Sequence, residues 1–165
     1  MRFDEIDFED EVLDGLYDMN FEEMTPVQEA TIPVILEGSD LIACAQTGTG
    51  KTAAYTLPLL NKLLVEGNED NVVKTLVVVP TRELAMQITD EMRQIAVCHE
   101  GVRLVCLYGG QPIGKQIDAL KRRPQIVVAT PGRLSDHMKR RTVTLKDVTT
   151  VVLDEADRML DMGFI

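Results

Sequence analysis

The chain has 165 residues, 45% of them hydrophobic, which suits one ordinary packed domain and excludes a disordered or fibrous chain. No apolar run approaches the roughly 20 residues that a membrane helix needs, and the first residues lack the apolar stretch of a signal peptide, so no membrane partner is expected and the cytoplasm is the expected location. A net charge of −10 argues against nucleic-acid binding only until its distribution is read: positions 1–40 hold 13 acidic residues against the single Arg2, a net of −12, which leaves +2 and room for a basic face in the rest.

Taken in chain order, the first pattern is a helix over 26–36, opened by Thr25 as N-cap and Pro26 at the first helical position. A short apolar run at 41–44 reads as a strand, a helix pattern follows over 51–64, and the polar stretch 65–71 reads as a surface loop. Strand patterns recur at 75–79, 102–106, 125–129 and 151–153, all read as buried on both faces, with helix patterns at 82–97 and 113–122 between them. Strand and helix in alternation predict an α/β fold with a mostly parallel sheet flanked by helices on both faces. Ligands of such a sheet sit beyond the carboxyl ends of its strands. Cys44, Cys98 and Cys106 have no metal or disulfide spacing and are expected to be buried thiols. Lys121, Arg122 and Arg123, like Lys139, Arg140 and Arg141, read first as solvated helix ends, with attraction of nucleic acid as a secondary role.

Two motifs carry chemistry. Ala45, Gln46, Thr47, Gly48, Thr49, Gly50, Lys51 and Thr52 lie between an expected strand and an expected helix, where a phosphate loop (P-loop) belongs. Gly48 and Gly50 let the backbone curl so that successive amides converge at a helix amino terminus. Lys51 would reach the β- and γ-phosphates and the Thr52 hydroxyl would take a position on Mg2+; Ala45 stands where the general pattern has Gly, and a plain Gly-rich turn is the alternative. The run 151–153 ends in Asp154, Glu155, Ala156 and Asp157. Asp154 would hold Mg2+, and Glu155 would polarise the water that attacks the γ-phosphate; an acidic helix cap is the alternative.

Together these motifs resemble those of the DEAD-box RNA helicases of superfamily 2, and the further signatures of that family follow in its order along nearly the whole chain. Phe21 through Gln28 resembles the Q motif with Phe3 upstream, although Asn20 stands where the family usually has Gly and Glu23 where it often has a basic residue. Pro80, Thr81 and Arg82, then Gly109 and Gly110, then Thr130, Pro131, Gly132 and Arg133 resemble its RNA-contacting motifs. The resemblance implies a RecA-like lobe over 38–165 preceded by a Q-motif segment over 1–37. ATP and Mg2+ are the implied cofactors and RNA backbone the implied partner. Gln28 would read the adenine edge and Phe21 would lie against the ring, with core packing as the alternative for the two aromatics. The loop hydroxyls, amides and guanidinium groups would hold phosphate and sugar without reading sequence.

The family's enzyme has two such lobes, so the 165 residues are expected to lack the second one and, on their own, to be nearly inactive as an RNA-dependent ATPase. An ATP-dependent RNA clamp uses the same motifs and stays open as a reading; a DNA translocase of the same superfamily is disfavoured by the Q motif.

Overall fold

A computed structural model describes residues 1–46, 48–67, 71–97, 99 and 101–163. The chain divides into two units, one made of Met1–Gly67 with Glu91–Glu100 and the other of Asn68–Asp90 with Gly101–Ile165.

The first unit is helical. A short 3-10 turn at Phe3–Glu5 precedes α1 (Asp10–Asp18), α2 (Pro26–Leu36) and α3 (Lys51–Glu66), and α2 packs along α3. The start of α2 is a reciprocal cap: Thr25 Oγ1 accepts from the Gln28 amide at 3.4 Å and Gln28 Oε1 accepts from the Thr25 amide at 3.0 Å. Two otherwise orphaned donors are satisfied by the T-x-x-Q spacing, and Pro26 adds a φ already suited to a first turn. Asn20 follows α1 at φ 59, the left-handed region that glycine and asparagine tolerate. This explains how it stands where the family usually has Gly.

The second unit holds a four-stranded parallel sheet, β1 (Thr75–Val78), β2 (Leu104–Leu107), β3 (Ile126–Ala129) and β4 (Thr150–Leu153), in the order β2-β3-β1-β4. Its helices are the start of α4 (Arg82–Ile95), then α5 (Ile113–Leu120), α6 (Pro131–Lys139) and α7 (Ala156–Asp161). β1 and β3 are buried on both faces, as their largely apolar, β-branched-rich runs suggest. One face of the sheet gathers Leu76, Val78, Val105, Leu107 and Val127 with Leu120, Leu134 and Met159 from the helices. Each such side chain contributes about 1.5–3 kcal/mol by leaving water.

The fold departs from the sequence reading in three places. The 41–44 run forms no strand: its side chains are exposed, Ile42 to 98%, because four apolar residues hold an extended form only against a partner strand and none pairs with them. Cys44, in that run, is consequently exposed, and Cys106 is half-buried on β2, while Cys98 lies outside the described residues. β2 and β4 are the edge strands of the sheet and neither is buried on both faces: Leu104 and Cys106 of β2 are half-buried, and on β4 Val151 and Leu153, in register with Leu76 and Val78 of the core face, remain 56% and 52% exposed. Part of the 65–71 loop also lies outside the described residues, Val65 and Glu66 being the last turn of α3. No helix among the described residues is long and apolar enough to cross a membrane.

Candidate functional site

In the first unit the phosphate loop is built by two left-handed glycines. Gly48 and Gly50 have φ 85 and 81, and Gly50 caps the amino terminus of α3, so that Lys51 and Thr52 occupy its first turn. Thr49 Oγ1 donates to the Gln46 carbonyl at 2.6 Å and tightens the curl, whereas Thr47 lies outside the described residues. Ala45, at the position of the missing glycine, is half-buried.

Gln28 is 4% exposed, and its Nε2 donates to the Gly50 carbonyl at 3.1 Å. A Cβ on Gly50 would strike that amide and come 3.2 Å from Thr25 Oγ1, so the glycine is required by close approach as well as by φ. With one Nε2 hydrogen on Gly50 and one Oε1 lone pair on Thr25, the amide keeps a donor and an acceptor for a ligand edge. Phe21 stacks on the buried Phe3 with ring centroids 6.1 Å apart and an interplanar angle of 20°, leaving its other face partly exposed. The core role thus falls on Phe3, and Phe21 keeps a face for an aromatic ligand.

In the second unit the remaining expected residues lie after the carboxyl ends of parallel strands. Gly109 and Gly110 follow β2, Thr130 to Arg133 follow β3, Pro80 to Arg82 follow β1, and Asp154 follows β4. By the sheet order the three loops expected to hold RNA are neighbours, and the acidic pair stands at the end of the row. Asp154 is buried and its amide continues the ladder by donating to the Val78 carbonyl at 3.0 Å. Glu155 has φ 54 and ψ 46, a left-handed conformation unusual for glutamate, and its Oε2 meets Arg158 Nη1 at 3.4 Å. That turn starts α7.

Thr81 Oγ1 accepts from the Leu84 amide at 3.2 Å and so caps α4, while Arg82 is exposed beside Gly110. Gly110 has φ 90, and a Cβ there would come 2.7 Å from Arg82 Nη1. Pro131 starts α6, Gly132 is exposed, and Pro80 is buried beneath its loop. Arg133 is turned inward, its side chain only 15% exposed, and its Nη1 donates to the Gln111 carbonyl at 3.0 Å and to Gln116 Oε1 at 3.2 Å.

Two residues of this region escaped the sequence reading. Gln116 and His137 are buried, and the ring of His137 meets Gln116 Oε1 through Nε2 at 2.9 Å. Burial holds the His137 pKa below its ordinary value, Arg133 and Arg140 lower it further, and Asp136 opposes them. The signal was present: Gln116 falls three residues after Ile113 and four before Leu120, and His137 three after Leu134, so each interrupts the apolar stripe of a helix.

The DEAD/DEAH box helicase family model matches residues 25–165. The ATP-dependent RNA helicase CshA of Listeria monocytogenes is 50% identical over 99% of this chain, and the DEAD-box ATP-dependent RNA helicase CshA of Bacillus cereus is 52% identical over the same share. The chain spans 31% and 30% of the length of these two relatives. Among solved structures, a DEAD box protein from Methanococcus jannaschii superposes on all of the chain with a TM-score of 0.90 at 40% identity, the chain covering 44% of it. A hypothetical ATP-dependent RNA helicase from Sulfolobus tokodaii superposes on 94% of the chain with a TM-score of 0.82 at 39% identity, and 44% of its own length is covered.

Proposed function

The chain belongs to the DEAD/DEAH box helicase family, and we propose that it is the ATP-binding lobe of a cytoplasmic ATP-dependent RNA helicase, with residues 1–37 as its adenine-reading segment and 38–165 as the RecA-like lobe. The observation that carries this reading is the Gln28 amide, which is bound to the phosphate loop at Gly50 and still has one donor and one acceptor to offer. Adenine presents a donor and an acceptor side by side at N6 and N7, the pair that a glutamine amide matches. Guanine presents two acceptors there.

Each residue has a separable task. Amides of the 45–50 loop and the start of α3 receive phosphate oxygens, and Lys51 places its charge on the β- and γ-phosphates. Thr52 and Asp154 would hold Mg2+. A nucleotide-bound magnesium takes one or two protein oxygens beside phosphate and water, which fits a hydroxyl and a single carboxylate; among the described residues no group of three or more His, Cys, Asp or Glu could cage a metal. When bound, the ion neutralises phosphate charge. Glu155 orients and polarises the attacking water. The loops of Pro80, Thr81 and Arg82, of Gly109 and Gly110, and of Thr130 to Arg133 hold RNA phosphate and sugar without reading sequence. Rearrangement of RNA then needs a second RecA-like lobe, drawn against this one when ATP and RNA are both bound.

The test is equilibrium titration of fluorescent ATP and GTP analogues in the presence of Mg2+. The unmodified chain should prefer the adenine nucleotide by about tenfold, the worth of roughly one well-made hydrogen bond. Gln28→Ala should erase the preference, and Lys51→Ala should weaken both nucleotides together. Equal affinity of the unmodified chain for the two bases would remove Gln28 from base reading.

A further inference from the structure

The buried polar cluster around Gln116 has no place in nucleotide chemistry, yet it joins two of the three strand-end loops. On its donor side, Gln116 Nε2 gives one hydrogen to the Tyr108 carbonyl at 2.8 Å and the other to Gln111 Oε1 at 2.9 Å. On its acceptor side, Oε1 receives Arg133 Nη1 at 3.2 Å and faces His137 Nε2 at 2.9 Å. All four hydrogen-bonding positions of the amide are therefore used, and the side chain is 2% exposed. Reversing the amide would set an oxygen against a carbonyl and NH2 against a guanidinium, so one orientation is enforced.

His137 completes the enforcement. It is fully buried, and its Nδ1 lies 2.7 Å from Thr142 Oγ1. The neutral ring gives its Nε2 hydrogen to Gln116 and takes the Thr142 hydroxyl hydrogen on Nδ1, which leaves every partner matched. Arg133 closes the circuit by its second bond from Nη1, to the Gln111 carbonyl at 3.0 Å. Gly109 and Gly110 lie between two residues that are both tied down, and they follow β2 while Arg133 follows β3, the neighbouring strand.

We propose that Gln116, held in one orientation by His137, is a positioning residue that locks the 108–111 loop to Arg133, so that the amides of Gly109 and Gly110 and the loop of Thr130 meet RNA phosphates as one preformed surface. Arg133 acts here chiefly as a brace from within. Backbone amides and hydroxyls then make the direct contacts, and these discriminate little between sequences. The proposal rests on the RNA reading of these loops, and its test separates the two.

Two variants of the chain are compared with the unmodified protein. Gln116→Met keeps the volume and removes all four bonds; Gln116→Glu keeps an acceptor for Arg133 and His137 but turns an oxygen toward the Tyr108 carbonyl. Nuclear magnetic relaxation reads the order parameters of the Gly109, Gly110 and Gln111 amides and of Arg133 Nε, and fluorescence anisotropy with a labelled single-stranded RNA at low salt reads affinity. In Gln116→Met the amides should fall from the rigid value of about 0.85 toward 0.6 or below, Arg133 should loosen with them, and RNA affinity should drop about tenfold. In Gln116→Glu the amides should loosen while Arg133 stays ordered, a split that a merely space-filling role would not produce. Should the methionine variant not fold, the isosteric glutamate variant decides alone. Loops that stay rigid in the folded variants overturn the proposal. Loosened loops with unchanged RNA affinity overturn the RNA reading of this surface, and the proposal with it.

Discussion

Two buried glutamines, Gln28 in the first unit and Gln116 in the second, each hold a glycine loop that the sequence singles out for ligand binding, and they do so with different reserves. Gln28 spends one donor on the Gly50 carbonyl and one acceptor on the Thr25 amide, and keeps the other half of its capacity. Gln116 spends everything on Tyr108, Gln111, Arg133 and His137. A saturated amide is scaffold, because a further partner must displace an existing one. A half-saturated amide beside a phosphate loop costs little to leave waiting if water reaches it, and it gains when a base edge arrives. The number of bonds already made thus separates a residue that shapes a site from one that reads a ligand.

That contrast is most sharply tested by deleting each amide. Gln116→Ala strips partners from a half-buried guanidinium, a buried imidazole and a backbone carbonyl at once, and should cost about 3 kcal/mol of stability in urea unfolding. Gln28→Ala removes half of a reciprocal cap and one bond to a carbonyl that water can replace, and should cost about 1 kcal/mol. Equal losses would mean that saturation does not set the role. The glycines extend the comparison at smaller scale. Gly50→Ala forces a φ of 81 on a residue with a Cβ and drives that Cβ against the buried Gln28 amide, so about 2 kcal/mol and most nucleotide affinity should be lost. At Gly110 the obstacle is the far end of the exposed Arg82, which can swing aside, and Gly110→Ala should cost only the left-handed strain of about 1 kcal/mol. Thermal or urea unfolding of the two variants side by side checks the order.

How much of this was legible in the sequence depended on whether a residue acts through its neighbours in the chain or across the fold. The helix cap at Thr25, the glycines before Lys51, and the acidic pair after an apolar strand are local patterns, and the helices that follow the first two and the strand that precedes the third stand within a few residues of their expected bounds. Pairing is not local. The 41–44 run has strand composition but no partner, and β4 has buried-strand composition but an open face, because burial is conferred by what covers a strand and not by the strand. Arg133 read as a phosphate ligand from its motif, and only the positions of Gln111 and Gln116, 22 and 17 residues away, turn it inward. His137 drew no attention in the sequence for the same reason: a lone histidine on an apolar stripe shows its meaning only when its partners from another helix are in place.

The smallest effect on the contrast should come from protonation, which loads the Gln116 cluster and leaves Gln28 untouched. Burial, with Arg133 and Arg140, holds the His137 pKa below its ordinary value of 6.5, against the pull of Asp136. The unfolded chain therefore binds the proton first as the pH falls. Stability from the neutral ring is fully present above 6.5 and is lost as the pH drops from there through the folded value. His99 shifts in the same direction, lowered by burial against the pull of Glu11, and adds to the same slope. The loss at His137 is limited because Thr142 offers a way out: its hydroxyl can turn to the His137 carbonyl, 3.1 Å away, and accept the new Nδ1 hydrogen with its oxygen, so the bond from Nε2 to Gln116 need not break. Urea midpoints should fall between pH 7.5 and 5.5, and His137→Gln should keep only the share that belongs to His99. Titration of the two imidazoles by nuclear magnetic resonance assigns each share, and a His137 that titrates at or above 6.5 would mean that the ring is not held neutral against the Gln116 amide.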